Sequence, residues 1–157
     1  MARLSSLETT EAITSKLGIL VGKTQWLLDL VDISEVLPVP NIVEAPLTSD
    51  WFCGVTNIRG NLYSVVDLSG YWGGELTPIT PLSRLLLVHS RHLSHSALLV
   101  NRMLGLHYTD QMQEIADADP TKPWCGLTWR DDQGMQWCEL KIAELVLEQK
   151  FLHVALS

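Results

Sequence analysis

The chain of 157 residues carries 11 Lys and Arg against 18 Asp and Glu, for a net charge of −7, and is 46% hydrophobic and 18% charged. That is length enough for one domain with a real core and too apolar for disorder, while the apolar runs fall far short of the ~20 residues a membrane-spanning helix needs. The few cations are scattered among more numerous carboxylates, so the counterion-releasing footprint of a nucleic-acid binder is missing and nucleic acid is excluded as a partner class.

The first eleven residues hold one Arg, two Glu and no apolar stretch, so no secretory leader is expected; the reading is a cytoplasmic protein without direct membrane insertion. Residues 1–14 are expected to be flexible or to form a short helix with Ser5 and Glu8 as a capping box. Residues 17–21 and 25–30 read as strands joined at Gly22 and Lys23. The piece 31–36 follows, and Pro38 and Pro40 then favour extended chain. Residues 41–44 form a brief extended run, and 46–50 a loop.

The clearest hairpin spans 52–68, with Arg59, Gly60 and Asn61 as its turn and Gly60 free to take positive φ. Residues 69–74 suggest one helical turn. The segment 75–81, with two prolines, reads as a linker, which puts a boundary between two β-subdomains near 75–82. Strands are expected at 84–89, 96–100 and 104–108, then a polar loop over 110–123. Two more strands, 125–129 and 135–140, flank the turn at Asp131-Asp132-Gln133-Gly134, and one closing helix covers 141–149. Eight to ten short strands with few helices indicate a mainly β fold, a barrel or sandwich rather than alternating β-α units.

Catalytic patterns are missing: there is no phosphate-cradling glycine loop, no nucleophile elbow and no zinc-protease pair, so no catalytic residue, cofactor or metal is assigned. Cys53, Cys125 and Cys138 include no C-x-x-C pair and read as buried free thiols of a reducing compartment. His89, His92 and His95 offer the alternative reading, a small ligand- or metal-binding β-barrel. Against it, the spacing matches no helical face and Arg91 sits among them to repel a cation. Asp67 follows an apolar run and is expected to accept backbone N–H bonds at a strand end. The six tryptophans are expected to fill core and interface.

The stretch Gly54-Val55-Thr56-Asn57-Ile58-Arg59-Gly60, closing on Val66-Asp67-Leu68, resembles the central motif of the CheW family of chemotaxis coupling proteins. Similar to further family segments are Leu30-Val31-Asp32-Ile33-Ser34-Glu35-Val36-Leu37, Arg84-Leu85-Leu86-Leu87-Val88 and the run from Ala97 to Leu106, so the resemblance covers about residues 15–148. The motif, Asp67-Leu68-Ser69-Gly70 and the ending from Phe151 to Ala155 look like the pilus-linked, PilI-like branch of twitching motility. Asn101 departs from the pattern, which has Asp there.

The resemblance implies a single CheW-like domain over 15–157, made of two small five-stranded, SH3-like β-barrels sharing a core. It implies a non-catalytic adaptor, recruited to membrane-bound receptor arrays, that couples a chemoreceptor cytoplasmic tip to the regulatory domain of a CheA-like histidine kinase. Arg59, Ile33, Glu35, Gly54, Asn57 and Met103 are the receptor-binding candidates. The Arg59 guanidinium suits a carboxylate or carbonyls at the receptor tip, or else pairs with Glu35 and fixes the groove. Ile33, Gly54 and Met103 would line an apolar groove together with Val36, a position read more strongly as core, and Gly54 is expected to allow close backbone approach. For the kinase, the exposed strand edge at Asn41, Ile42 and Val43 is the candidate.

Overall fold

In this computed structural model residues 15–155 are described, apart from Leu47. The N-terminal segment 1–14, with its expected flexible or helical start, lies outside the described residues. Period-two alternation of apolar residues, interrupted by glycine turns, sets the strands. β1 (Ser15–Val21) and β2 (Thr24–Asp29) form the expected hairpin, with Gly22 at a φ of +60° in its turn. A single 3-10 turn at Leu30–Asp32 leads into β3 (Ile33–Pro38). β4 (Phe52–Ile58) and β5 (Asn61–Asp67) make the central hairpin, followed by α1 (Leu68–Tyr71). The chain continues through β6 (Arg84–Val88), β7 (Ser96–Val100), β8 (Arg102–Tyr108) and β9 (Gln113–Ala116). It ends with β10 (Cys125–Arg130), β11 (Gln136–Leu140), α2 (Ile142–Leu145) and α3 (Gln149–Ala155).

Two mixed sheets result, in the orders β8-β1-β2-β11-β10-β9 and β3-β6-β7-β5-β4. The edge strands of the first, β8 and β9, are consecutive in the chain, joined through a 3-10 turn at Thr109–Gln111, and act as one bent strand. In the second, the chain beyond β3 comes back to bridge Val43 with Val55 on β4, through paired backbone bonds of 2.8 and 2.9 Å. The second sheet has the five strands that were expected and the first has six, and the two-sheet arrangement fits the expected SH3-like plan.

β6 and β7 are apolar on both faces because each face meets a different core. Leu86, Val88, Leu98 and Val100 point into a core shared by both sheets, with Leu17, Ile19 and Leu28 from the first sheet, Leu68 and Tyr71 of α1, and Ile142, Leu145 and Phe151 from the C-terminal helices. Leu85, Leu87, Ala97 and Leu99 point the other way, into a smaller core with Ile58 and Val65. Burying one such leucine contributes about 2–3 kcal/mol, so the shared core holds the sheets together.

Three expectations meet a different structure. The segment 75–82 joins β5 to β6 within one sheet, and the chain changes sheets at residues 29–33 and 100–102 instead. Its prolines mark a connection that crosses a sheet, since β5 pairs in parallel with β7 and cannot be reached by a tight turn. The polar run 113–116 is a strand, held by register with β10 rather than by its own apolar pattern. The closing helix is split into α2 and α3.

Candidate functional site

The turn between β4 and β5 has Arg59 at φ 52° and Gly60 at φ 88°, the two positive-φ residues a right-twisting two-residue hairpin turn demands. Arginine is costly there, and the turn is held from both sides. Asn57 Oδ1 accepts from Gly60 N–H at 2.9 Å, and the Arg59 guanidinium forks onto Glu35 of β3, donating from Nη1 to Oε1 at 3.1 Å and from Nη2 to Oε2. Arg59 holds the Glu35 carboxyl below the ordinary glutamate range, and Glu35 raises Arg59 in return. The pair is open to water, with the Arg59 side chain 66% exposed. Both carboxylate oxygens of Glu35 are occupied, while the exposed guanidinium, with five N–H donors, uses two of them on Glu35.

Ile33, at the start of β3, and Met103, on β8, lie on different sheets, and each is partly buried against the shared core. Val36 turns outward with 36% of its surface exposed, so its core reading is replaced by a surface one. Gly54 allows the close backbone approach expected of it but does not line an open groove: it is buried, and a Cβ there would stand 2.0 Å from the Val43 carbonyl oxygen. Its φ of 131° and missing side chain let the 41–44 segment lie directly on β4.

That segment carries the kinase candidates. Asn41 offers its carbonyl to the Thr56 hydroxyl at 2.7 Å, Ile42 packs on the smaller core, and Val43 projects outward, 62% exposed. A cleft of about 620 Å³ opens beside it, walled by Asn41, Ile42, Glu44, Leu76 and Ile79.

Asn101, the departure from the family pattern, accepts from Gly22 N–H at 2.7 Å through Oδ1 and ties the β7–β8 junction to the β1–β2 turn. Asp and Asn both offer an oxygen there, so this bond does not depend on the missing charge. Asp67 is almost fully buried and receives Thr77 N–H and the Thr77 hydroxyl at 2.6 and 2.8 Å, with Gly70 N–H at 3.3 Å, the strand-end role expected of it. The histidines do not converge. His92 Nε2 bonds Asp32 at 2.8 Å, His89 Nδ1 accepts from Arg91 N–H, and His95 packs edge-on to Tyr63; among the described residues no three metal-ligating side chains gather.

Sequence reasoning missed a cluster of three indoles, Trp26, Trp72 and Trp124, with centroids 4.6, 4.9 and 5.9 Å apart, walling a cleft of about 670 Å³. They are too distant in sequence for any spacing rule to join them.

Residues 16–149 match the CheW-like domain family. The chain is 32% identical over 95 residues to Protein PilI of Pseudomonas aeruginosa (strain PAO1), a match covering 60% of this chain and 52% of PilI, about half its length. The fold is similar to the crystal structure of scaffolding protein TtCheW from Thermoanaerobacter tengcongensis, with a TM-score of 0.70 and 18% identity over 87% of this chain and 94% of that one. With nearly all of its two-sheet domain inside the matched span, the chain belongs to the CheW-like domain family.

Proposed function

We propose that the chain is an adaptor that couples the cytoplasmic tip of a chemoreceptor to the regulatory domain of a CheA-like histidine kinase, in a chemotaxis-like pathway controlling type IV pilus twitching motility. The observation that carries the reading is the Arg59 fork, fixed by Glu35 at an exposed hairpin tip, with donors left over for a partner. A guanidinium already oriented loses little freedom on binding, which favours recognition of a carboxylate or of helix-end carbonyls. Ile33 and Met103 add apolar contact, and Asn57 holds the turn that presents Arg59. Gly54 acts beneath the surface, through the strand it seats.

The kinase-facing surface is the edge at Asn41, Ile42 and Val43, where exposed Val43, Leu76 and Ile79 supply an apolar border. Such an interface is modest in area, as transient signalling contacts are. The likeness to PilI supports the pilus branch, and receptor binding would bring the adaptor to the membrane-bound array.

Titrating the isotope-labelled chain with a receptor cytoplasmic fragment and, separately, with a kinase regulatory domain tests the reading. The receptor should shift amides around residues 33–36, 57–60 and 103, and the kinase domain those around 41–44 and 76–79. One common set of shifts for both partners, or none, contradicts it.

A further inference from the structure

The indole-walled cleft belongs to neither proposed protein contact: none of its lining residues is among the receptor or kinase candidates. It lies between the β1–β2 turn, the segment after α1 and the start of β10. Trp72 and Trp124 stack at 21° between ring planes, and Trp26 tilts against both. The Nε1–H groups of Trp26 and Trp72 are buried with no acceptor among the described residues. Trp26 itself is only 7% exposed. Buried donors without acceptors are rare and costly; two lie in this cleft wall, and the Nε1–H of Trp129, outside the cleft, is a third. At the rim stand Lys23 and Lys122, neither in an ion pair within 4 Å among the described residues, with Glu75 in the lining and Asp119 close enough to Lys122 to feel its charge.

These features fit one ligand chemistry. A volume of about 670 Å³ suits a small molecule. Flat aromatic walls select a flat apolar body. The ammonium groups of Lys23 and Lys122 stand where an anionic group on a ligand in the cleft could reach them. A quaternary ammonium ligand is disfavoured on the same grounds: the rings pack on one another rather than standing apart as a cage, and the lysines repel a cation. Cys125 and Cys138 also line the cleft, and burial together with Cys138 alongside pushes the Cys125 thiol up to about 11. That thiol stays protonated at neutral pH.

We infer that the cleft between Trp26, Trp72, Trp124 and Lys122 is a binding site for a small planar aromatic carboxylate. The inference is independent of the adaptor reading. It is tested on the full chain by titrating indole-3-acetate, with uncharged indole-3-acetamide as control, and following the indole N–H resonances. Saturable one-site binding that shifts Trp26, Trp72 and Trp124 and leaves Trp51 and Trp137 in place is the expected result. Lys122→Glu, a change at an exposed side chain, should weaken the acid about fivefold or more and leave the amide unchanged. No saturable shift at millimolar acid, equal binding of acid and amide, or cleft indoles that respond only to an added kinase regulatory domain would each overturn the assignment, the last by making the cleft a protein-docking face.

Discussion

At Arg59 a residue that resists positive φ is kept there by what its side chain does. The Glu35 fork and the Asn57 turn bond stabilise a conformation that glycine or asparagine would adopt more cheaply. The Glu35 contribution has a defined pH signature. Its carboxyl is held below the ordinary value near 4.5, so the stabilisation is complete above that value and is lost as pH falls through the lowered folded-state value. The melting-temperature difference between wild type and Glu35→Gln should thus be constant from neutral pH to about 4.5 and shrink below it, and salt should reduce it. Gly54 gives the sharper stability test. Gly54→Ala places a Cβ on the Val43 carbonyl at a φ that alanine disfavours, and urea denaturation should show a loss of about 2–4 kcal/mol. The Arg59–Glu35 alternative was legible in the sequence because both residues lie within the matched motifs. A close backbone approach at Gly54 was legible too, but not that Val43 makes it, since nothing local to residue 54 reports which segment lies over it.

Between elements, two polar side chains carry connections that the apolar pattern leaves open. Asp67 caps α1 and fastens Thr77, so it anchors the connection that carries the chain across the sheet from β5 to β6. Asp67→Ala would leave the buried Thr77 donors without their acceptor and should cost about 3 kcal/mol by thermal or urea unfolding. Asn101 joins the β7–β8 corner to the β1–β2 turn; Asn101→Asp should keep stability within about 0.5 kcal/mol, whereas Asn101→Leu should lose about 1–3 kcal/mol by leaving Gly22 N–H unpaired. Strand positions were readable where apolar residues alternate or run together, as in β4 through β7. β9 was not readable, because Gln113–Ala116 is an edge strand whose pairing with β10 outweighs its polar composition. The C-terminal helices are likewise set by tertiary contacts: Lys150 Nζ donates to the Tyr71 carbonyl at 2.6 Å and the Tyr71 hydroxyl to Glu148 at 2.7 Å, docking α3 on α1. Burial, reinforced by that bond to Glu148, raises the Tyr71 hydroxyl well above the usual tyrosine range.

Over the whole molecule, the second sheet is built from the continuous stretch 33–100 and the first from the two flanking stretches. A chain cut at 78 therefore separates β1 and β2 from β8 and β11, their neighbours in the first sheet, and β4 and β5 from β6 and β7 in the second. Fragments 1–78 and 79–157 should each lack cooperative unfolding by circular dichroism and recover it only when mixed, whereas two autonomous barrels divided near 75–82 would fold apart. Composition and turn spacing predicted the β class, and the motif the family. The interleaving of the sheets depends on long-range pairings such as the parallel β2–β11 and β5–β7 contacts, which leave no local trace. In the proposed adaptor, one rigid frame presents two separate protein-binding surfaces. The most direct test is a pull-down of wild type and Arg59→Glu against a receptor cytoplasmic fragment and a kinase regulatory domain. Wild type should retain both partners and Arg59→Glu should lose the receptor while keeping the kinase; wild type that retains neither, or a charge reversal that releases both or neither, would contradict it.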